Sequence, residues 1–332
     1  MSEPLEILPL SIPADRARDS RRPVLALLLA CAGWGGSFTW AKVIMAEINR
    51  ACGLETSATL GVLVLLSWRF MLAGIIWMLI IPAARSGWSR ASVARASLLS
   101  LPFILAMIAQ QMSLTRISPA VNAFLTSLNV LFVPMIVACL LRRLPSPALS
   151  IAILLAVAGI WMLSNAGPAG VGIGEVLGVG CSLLFSIHIV LVNFILKRDN
   201  AARMMGGQMI VTGLAVLMVT LVIHPQSRSA GILFLPFTRR LMLDFSLLVA
   251  ISTLLAFGLM IVYQPKVDPT RAALIYLTEP VFAAAYAWVF AGDALSGKQI
   301  AGAGLIIGAN SLVEWLTARR ITEMAVPAGE TA

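Results

Sequence analysis

The residue of this sequence best placed to do chemistry is Glu279. It lies about nine positions into an apolar run that begins near residue 270, roughly 14 Å deep at about 1.5 Å per residue in a hydrocarbon core of about 30 Å. An ionised carboxylate at that depth is costly and faces a bundle interior or a wet cavity. Glu279 therefore suits a proton carrier or a cation ligand; the other reading is a hydrogen-bonded Glu that fixes packing beside a kink at Pro280. Tyr276, Glu279, Ala283 and Tyr286 follow i, i+3, i+7, i+10 spacing and share one helix face.

Other polar groups sit in similar runs. Arg69 lies mid-way along a second apolar stretch and must find a partner or water there. Three partners are open to it: Glu279, a substrate carboxylate, or backbone carbonyls. Trp34, Phe38 and Lys42 share a face at i, i+4, i+8; Trp34 either walls a cavity or packs, and Lys42 snorkels outward. Gln110 and Gln111 are pathway candidates, and His188 reads as a packed or hydrogen-bonded imidazole. Gly174-x-x-x-Gly178 and Gly304-x-x-x-Gly308 read as sites of close helix packing. There is no GxSxG, HExxH or P-loop. Cys31, Cys52, Cys139 and Cys181 have no CxxC spacing, so neither a disulfide framework nor a metal site is expected. No cofactor is expected.

These residues need elements to position them. Of 332 residues, 59% are hydrophobic and 12% charged, against roughly 25% charged in an average soluble domain. Lipid can accept that much apolar surface; one soluble core cannot. Ten runs qualify as spans, at about 23–45, 59–81, 97–114, 119–141, 147–164, 173–195, 204–223, 246–264, 270–291 and 298–317. They lack the alternation of a membrane barrel, which leaves helices as the way to satisfy the backbone. The segment before the first run reads as a tail ahead of a retained helix, not a signal peptide.

The net charge of +9 is explained by topology, so no nucleic-acid partner is implied. With the N-terminus inside, 16 of the 24 Lys and Arg fall on the cytoplasmic side and six outside, Lys42 and Arg69 being within spans. That split predicts both termini in the cytoplasm. Loop 224–245, with Arg228, Arg239 and Arg240, runs against it, and its Leu233–Phe237 stretch suits the membrane interface.

The two halves repeat. At an offset of 150 residues, 118–125 overlies 268–275, Phe132 meets Phe282, Ala106 meets Ala256, and Cys31 meets Cys181. Five spans per copy is an odd number, so the second copy must be inverted, an architecture whose substrate site lies near mid-membrane where the copies meet. The expected organisation is a tail 1–22, repeats 23–165 and 172–318, and a tail 319–332. The counterparts of Tyr276 and Glu279 are Thr126 and Asn129, and Asn122 extends that stripe by a turn. The two stripes are expected to face one another; interhelical hydrogen bonding accounts for Asn122 and Thr126 equally well.

The run Arg271-Ala272-Ala273-Leu274-Ile275-Tyr276-Leu277-Thr278-Glu279-Pro280-Val281-Phe282-Ala283-Ala284, continuing through Ala287-Trp288 to Gly292-Asp293, resembles the EamA-type family of the drug/metabolite transporter superfamily. Trp34-Gly35-Gly36-Ser37-Phe38, Arg69-Phe70 and Ala123–Leu128 followed by Phe132-Val133-Pro134 are similar to its first copy. Asp293 stands where the family usually has Glu. Arg142-Arg143 replace the Gly-Glu common after the fourth helix, so any role of that acid is not carried over. The resemblance covers about 22–318. It implies a secondary transporter in the bacterial inner membrane that moves a small metabolite, an amino acid or a relative of one, outward by alternating access, with protons as a coupling partner. An uncoupled facilitator and a membrane-embedded enzyme acting on lipid head groups are the rival readings. Scattered acids and two histidines argue against the enzyme.

Overall fold

The computed structural model describes residues 21–140, 142, 147–163, 171–196, 198–225, 230–266, 275–276 and 278–325. All regular structure among them is helical. The tails, residues 267–274, Leu277 and Arg143 lie outside the described residues, so parts of the expected ninth span and of the stretch 271–284 do too.

We number the main helices α1 (Arg21–Ala51), α2 (Thr59–Ile80), α3 (Arg90–Leu114), α4 (Pro119–Thr126), α5 (Asn129–Leu140), α6 (Pro147–Leu163), α7 (Ile173–Ile195) and α8 (Ala201–Ile223). Next comes α9, which is α-helical over Met242–Leu247, π-helical over Leu248–Leu255 and α-helical again over Ala256–Tyr263. Then follow α10 (Glu279–Ala291) and α11 (Gly297–Ala325). Starts are set by local chemistry. Ser89 and Ser118 accept from the backbone N–H three residues on, and Asn200 accepts from Ala202 and Arg203, satisfying N–H groups that no helical carbonyl reaches. Gly292 closes α10 at φ +69, a left-handed turn glycine adopts freely.

Among the described residues, six helices are long and apolar enough to cross a membrane: Arg21–Ala51, Thr59–Ile80, Arg90–Leu114, Ile173–Val192, Ala201–Ile223 and Met242–Met260. They match six of the ten expected spans. Three boundaries are corrected. α1 runs to Ala51, α3 begins at Arg90, and α11 continues to Ala325, because Ser, Arg and Glu residues at helix ends extend a helix past its apolar stretch. The expected fourth span is broken at Ser127-Leu128 into α4 and α5.

Packing is densest between α2 and α8, α6 and α11, and α3 and α7, with α1 laid against both α9 and α10. Small residues allow it. A Cβ on Gly213 would lie 2.5 Å from Met71 N, and one on Gly74 would lie 2.8 Å from Ile210 N, so α2 and α8 touch backbone to backbone. A Cβ on Gly35 would lie 2.6 Å from Phe282 Cβ, the same relation between α1 and α10. Gly174 and Gly178 meet Ile117 and Leu125 as a packing motif should, but Gly304 and Gly308 face open space. Helix α11 instead meets α6 through Gly159 and the Gly302 carbonyl.

Gly213→Val therefore costs about 1–3 kcal/mol through overpacking, whereas Gly304→Ala stays within about 1 kcal/mol of the parent. Unfolding of both variants in mixed micelles checks the contrast; equal stability would remove the close α2–α8 approach from the account.

Candidate functional site

The two breaks build the site. Helix α4 ends at Thr126, Ser127 and Leu128 form a turn, and Asn129 opens α5. At the offset of 150, Thr278 precedes Glu279, the first residue of α10. Both second segments thus begin at equivalent positions, one with an amide and one with a carboxylate. Pro280 at the first turn of α10 is tolerated there because that N–H has no helical acceptor. α4 packs against α10, and α1 covers both.

Between them lies a cleft of about 40 Å³ lined by Ala123, Thr126, Ser127, Asn129, Val130, Tyr276, Glu279 and Pro280, large enough for water. The pairs Thr126/Tyr276 and Asn129/Glu279, equivalent in sequence, are brought into one wall. Glu279 is half-buried and, among the described residues, makes no ion pair. Its charge reaches Cys31, Tyr276 and Cys181. Trp34 stands beside Tyr276 at 5.8 Å between ring centroids and meets Phe257 edge-on at 5.3 Å. Its indole Nε1 is buried with no partner. A carboxylate flanked by aromatic faces attracts a cationic amine.

A hydrogen-bonded layer supports the α4 side. Asn122 Nδ2 donates to Ser113 Oγ at 2.7 Å and to the Gln110 carbonyl at 3.1 Å, and Gln110 Nε2 donates to Thr126 Oγ1 at 3.2 Å. Ser113 Oγ donates onward to the Gly174 carbonyl at 2.7 Å, and Ser182 Oγ to the Thr126 carbonyl at 3.0 Å. Asn122 is fully buried, and its Oδ1 and Gln111 Oε1 have no partner. Asn122, Gln110 and Gln111 thus stand behind the cleft wall, not in it.

Two further expectations are corrected. Arg69 does not pair with Glu279. It lies on α2, which faces α8 and α9, and its Nε donates to Thr253 Oγ1 at 3.0 Å on the π-helical stretch. Phe70 lies 5.3 Å from the guanidinium carbon. The Thr253 hydroxyl in turn reaches the Leu248 carbonyl five residues back, as the wider helix permits. Tyr286 is not in the cleft. It lies two turns beyond Glu279, where it stacks on Phe290 at 5.6 Å and meets Trp40 edge-on at 5.8 Å.

His188 Nε2 bonds Gln208 Oε1 at 3.1 Å beside Phe103. Lys42 Nζ donates to the Ile117 carbonyl at 2.8 Å, closing the turn between α3 and α4. Ser127 and Val130 were not picked out from sequence as site residues. The offset of 150 could have found Val130, the counterpart of Pro280 beside Glu279.

Residues 172–314 match the model of the EamA-like transporter family. The chain carries an EamA-like segment. That family belongs to the drug/metabolite transporter superfamily, and the apolar helices above support a multi-pass membrane protein. The EamA-like segment begins with α7 and extends into α11, so it contains Glu279. A crystal structure of another protein is similar over 88% of this chain and 98% of its own length, with a TM-score of 0.55 at 17% identity. At that identity the likeness concerns the fold alone. No curated protein matches the sequence.

Single cysteines at Thr126, Asn129 and Tyr276, in protein whose native cysteines are replaced, should react with a small water-soluble thiol reagent, and one at Tyr286 should not. Equal labelling of all four would mean that the cleft is not the aqueous path.

Proposed function

We propose that this protein is a secondary transporter exporting an amino acid or related amine-bearing metabolite by alternating access, with Glu279 carrying the coupling proton. The observation that carries this reading is the meeting of the break between α4 and α5 with the start of α10, at equivalent sequence positions, around one polar cleft. Half-helix ends at mid-membrane, in copies that exchange by a pseudo-two-fold, are how many secondary transporters build a substrate site.

The ten-span, inverted-repeat architecture with units 23–165 and 172–318 belongs to the same proposal. Helix packing supports it. α3 against α7 and α1 against α9 exchange with each other when the first five spans are swapped for the second five. The α2–α8 and α6–α11 pairs map onto themselves. An odd number of spans per unit then inverts the second.

At the site, Glu279 and the rings of Trp34 and Tyr276 suit an ammonium group, while the Trp34 indole and Asn129 amide offer donors to a carboxylate. A carboxyl in this position has two inexpensive states, protonated or paired with a cation, and an expensive one, charged and alone. Proton and amine therefore compete for Glu279, and that competition is the coupling. Arg69 stays charged and bonded to Thr253, and serves as an anchor between α2 and α9. Members of the family are transporters, which favours transport over the enzyme reading.

The charge split supports an orientation with both termini cytoplasmic, in a protein of the inner membrane. Reporter fusions after Ala332 should be active only for a cytoplasmic reporter; periplasmic activity would overturn the topology.

In vesicles loaded with the exported metabolite, Glu279→Gln should remain folded and membrane-inserted, but its flux should no longer respond to an imposed pH gradient. An unchanged response would leave Glu279 a packing residue.

A further inference from the structure

Two clusters of charge lie outside the cleft, at different corners of the bundle, and each joins residues of 23–165 to residues of 172–318. In the first, Asp199, in the turn between α7 and α8, takes Arg203 Nη1 at 2.6 Å and Arg95 Nη1 at 3.0 Å. Arg95 stands in the second turn of α3 and also donates to the Arg198 carbonyl at 3.2 Å. Arg203 Nε donates to the Ser86 carbonyl at 2.8 Å, so the cluster gathers the loop before α3 as well. In the second, Glu47 near the end of α1 takes Arg240 Nη1 at 2.7 Å, two residues before α9, and also holds Arg50.

The two clusters occupy equivalent corners. Asp199 corresponds at the offset of 150 to Asn49, two residues from Glu47, and Arg240 corresponds to Arg90, at the start of α3. Each fastens the end of one unit's first helix to the start of the other unit's third. With one unit inverted, equivalent corners lie on opposite faces of the membrane. The charge distribution assigns Asp199 to the cytoplasmic face and Glu47 to the outer one.

They are not equal. The Asp199 side chain is 1% exposed and its arginines 31% and 17%, whereas Glu47 is 16% exposed and its arginines 74% and 62%. Burial would raise the Asp199 carboxyl, but donors from Ser92, the Asn200 backbone and Arg95, with the charge of Arg203, outweigh it and hold it below the usual aspartate range. A carboxyl lowered in this way is ionised at neutral pH, and its contribution is lost only as pH falls through that depressed value. The Asp199 cluster is thus a standing tie and not a pH switch. An exposed pair such as Glu47–Arg240 is screened by water and salt and holds weakly. Removing one partner of a buried, multiply bonded carboxylate leaves charge without compensation.

We propose that these clusters are two latches of unequal strength, and that the inequality biases the resting protein toward opening at the Glu47 end. The inference rests on the alternating-access reading, in which one end of the bundle must part while the other stays shut. In this structure both latches are closed, and the cleft between them is correspondingly small. The state open at the Asp199 end is the minority until something breaks the buried tie, so a cytoplasmic substrate meets a transporter that must first be unlatched.

The test uses full-length, otherwise cysteine-free protein in lipid nanodiscs, with spin-label pairs at Ala94 and Leu196 for the Asp199 end and at Leu54 and Met242 for the Glu47 end. Distances are read by pulsed electron resonance. Asp199→Asn, and independently the milder Arg95→Gln, should move population toward longer Ala94–Leu196 distances and shorter Leu54–Met242 distances. Glu47→Gln should lengthen only the Leu54–Met242 pair, and by a smaller population change. Charge exchange in the double variant Glu47→Arg, Arg240→Glu should restore the parent distribution. An unmoved Ala94–Leu196 distribution in both inner variants, or a larger change from Glu47→Gln, overturns the proposal. Lengthening of both pairs in both inner variants also overturns it, because it reports a loosened fold and not a latch. If the parent protein instead keeps one fixed distance at both ends at every pH tested, alternating access itself fails. Two-state distances indifferent to these variants sink the latches alone.

Discussion

Hydrocarbon does not replace a lost backbone hydrogen bond, and most of this structure follows from that constraint. A helix that breaks in mid-membrane leaves N–H and C=O groups that must face protein or water. The breaks after Thr126 and before Glu279 are therefore affordable only against each other, under α1. The Ser182 hydroxyl covers the freed Thr126 carbonyl, and Thr278 Oγ1 and N both return to the Ile275 carbonyl. What is left open toward the cleft is polar.

Close backbone approach makes that arrangement possible. Gly35 lets α1 lie on Phe282 and Ala283, which brings Trp34 to Tyr276 and Cys31 to the carbonyl of Ile275. A larger residue at position 35 would push α1 off α10 and open the wall that holds Glu279. The same close fit leaves polar atoms without partners: Trp34 Nε1, Asn122 Oδ1 and Gln111 Oε1. Each costs about 1–3 kcal/mol when dry. The Thr39 and Thr212 hydroxyls are likewise buried without partners, while Trp34 Nε1 and Asn122 Oδ1 belong to residues next to Tyr276 and Thr126 of the cleft wall.

The loop that ran against the charge rule also has a physical account. Arg240 is held by Glu47, and Trp68 Nε1 donates to the Leu233 carbonyl at 2.8 Å. Phe234 and Phe237 gather around the Trp68 ring at about 5 Å. This segment is anchored through aromatic rings that suit the membrane interface, and Glu47 offsets the charge of Arg240.

Much of the fold could be read from the residues alone. Apolar length gave the six long helices to within a few residues, because desolvation depends on composition and not on neighbours. The offset of 150 put Thr126 in register with Tyr276 and Asn129 with Glu279, and all four line the cleft. Other features needed the tertiary structure. Sequence left Arg69 three partners, and the one observed is none of them, because a widened turn of α9 presents the Thr253 hydroxyl there. Helical periodicity put Tyr286 on the stripe with Glu279, but a periodic face does not say how far along the helix a cavity extends. The tie between Asp199 and Arg95 joins residues 104 positions apart, and no local pattern marks it. Local chemistry decides where a helix can exist in lipid. Which polar side chain answers which is decided only when the helices are brought together, because each must choose among partners that the chain places far apart.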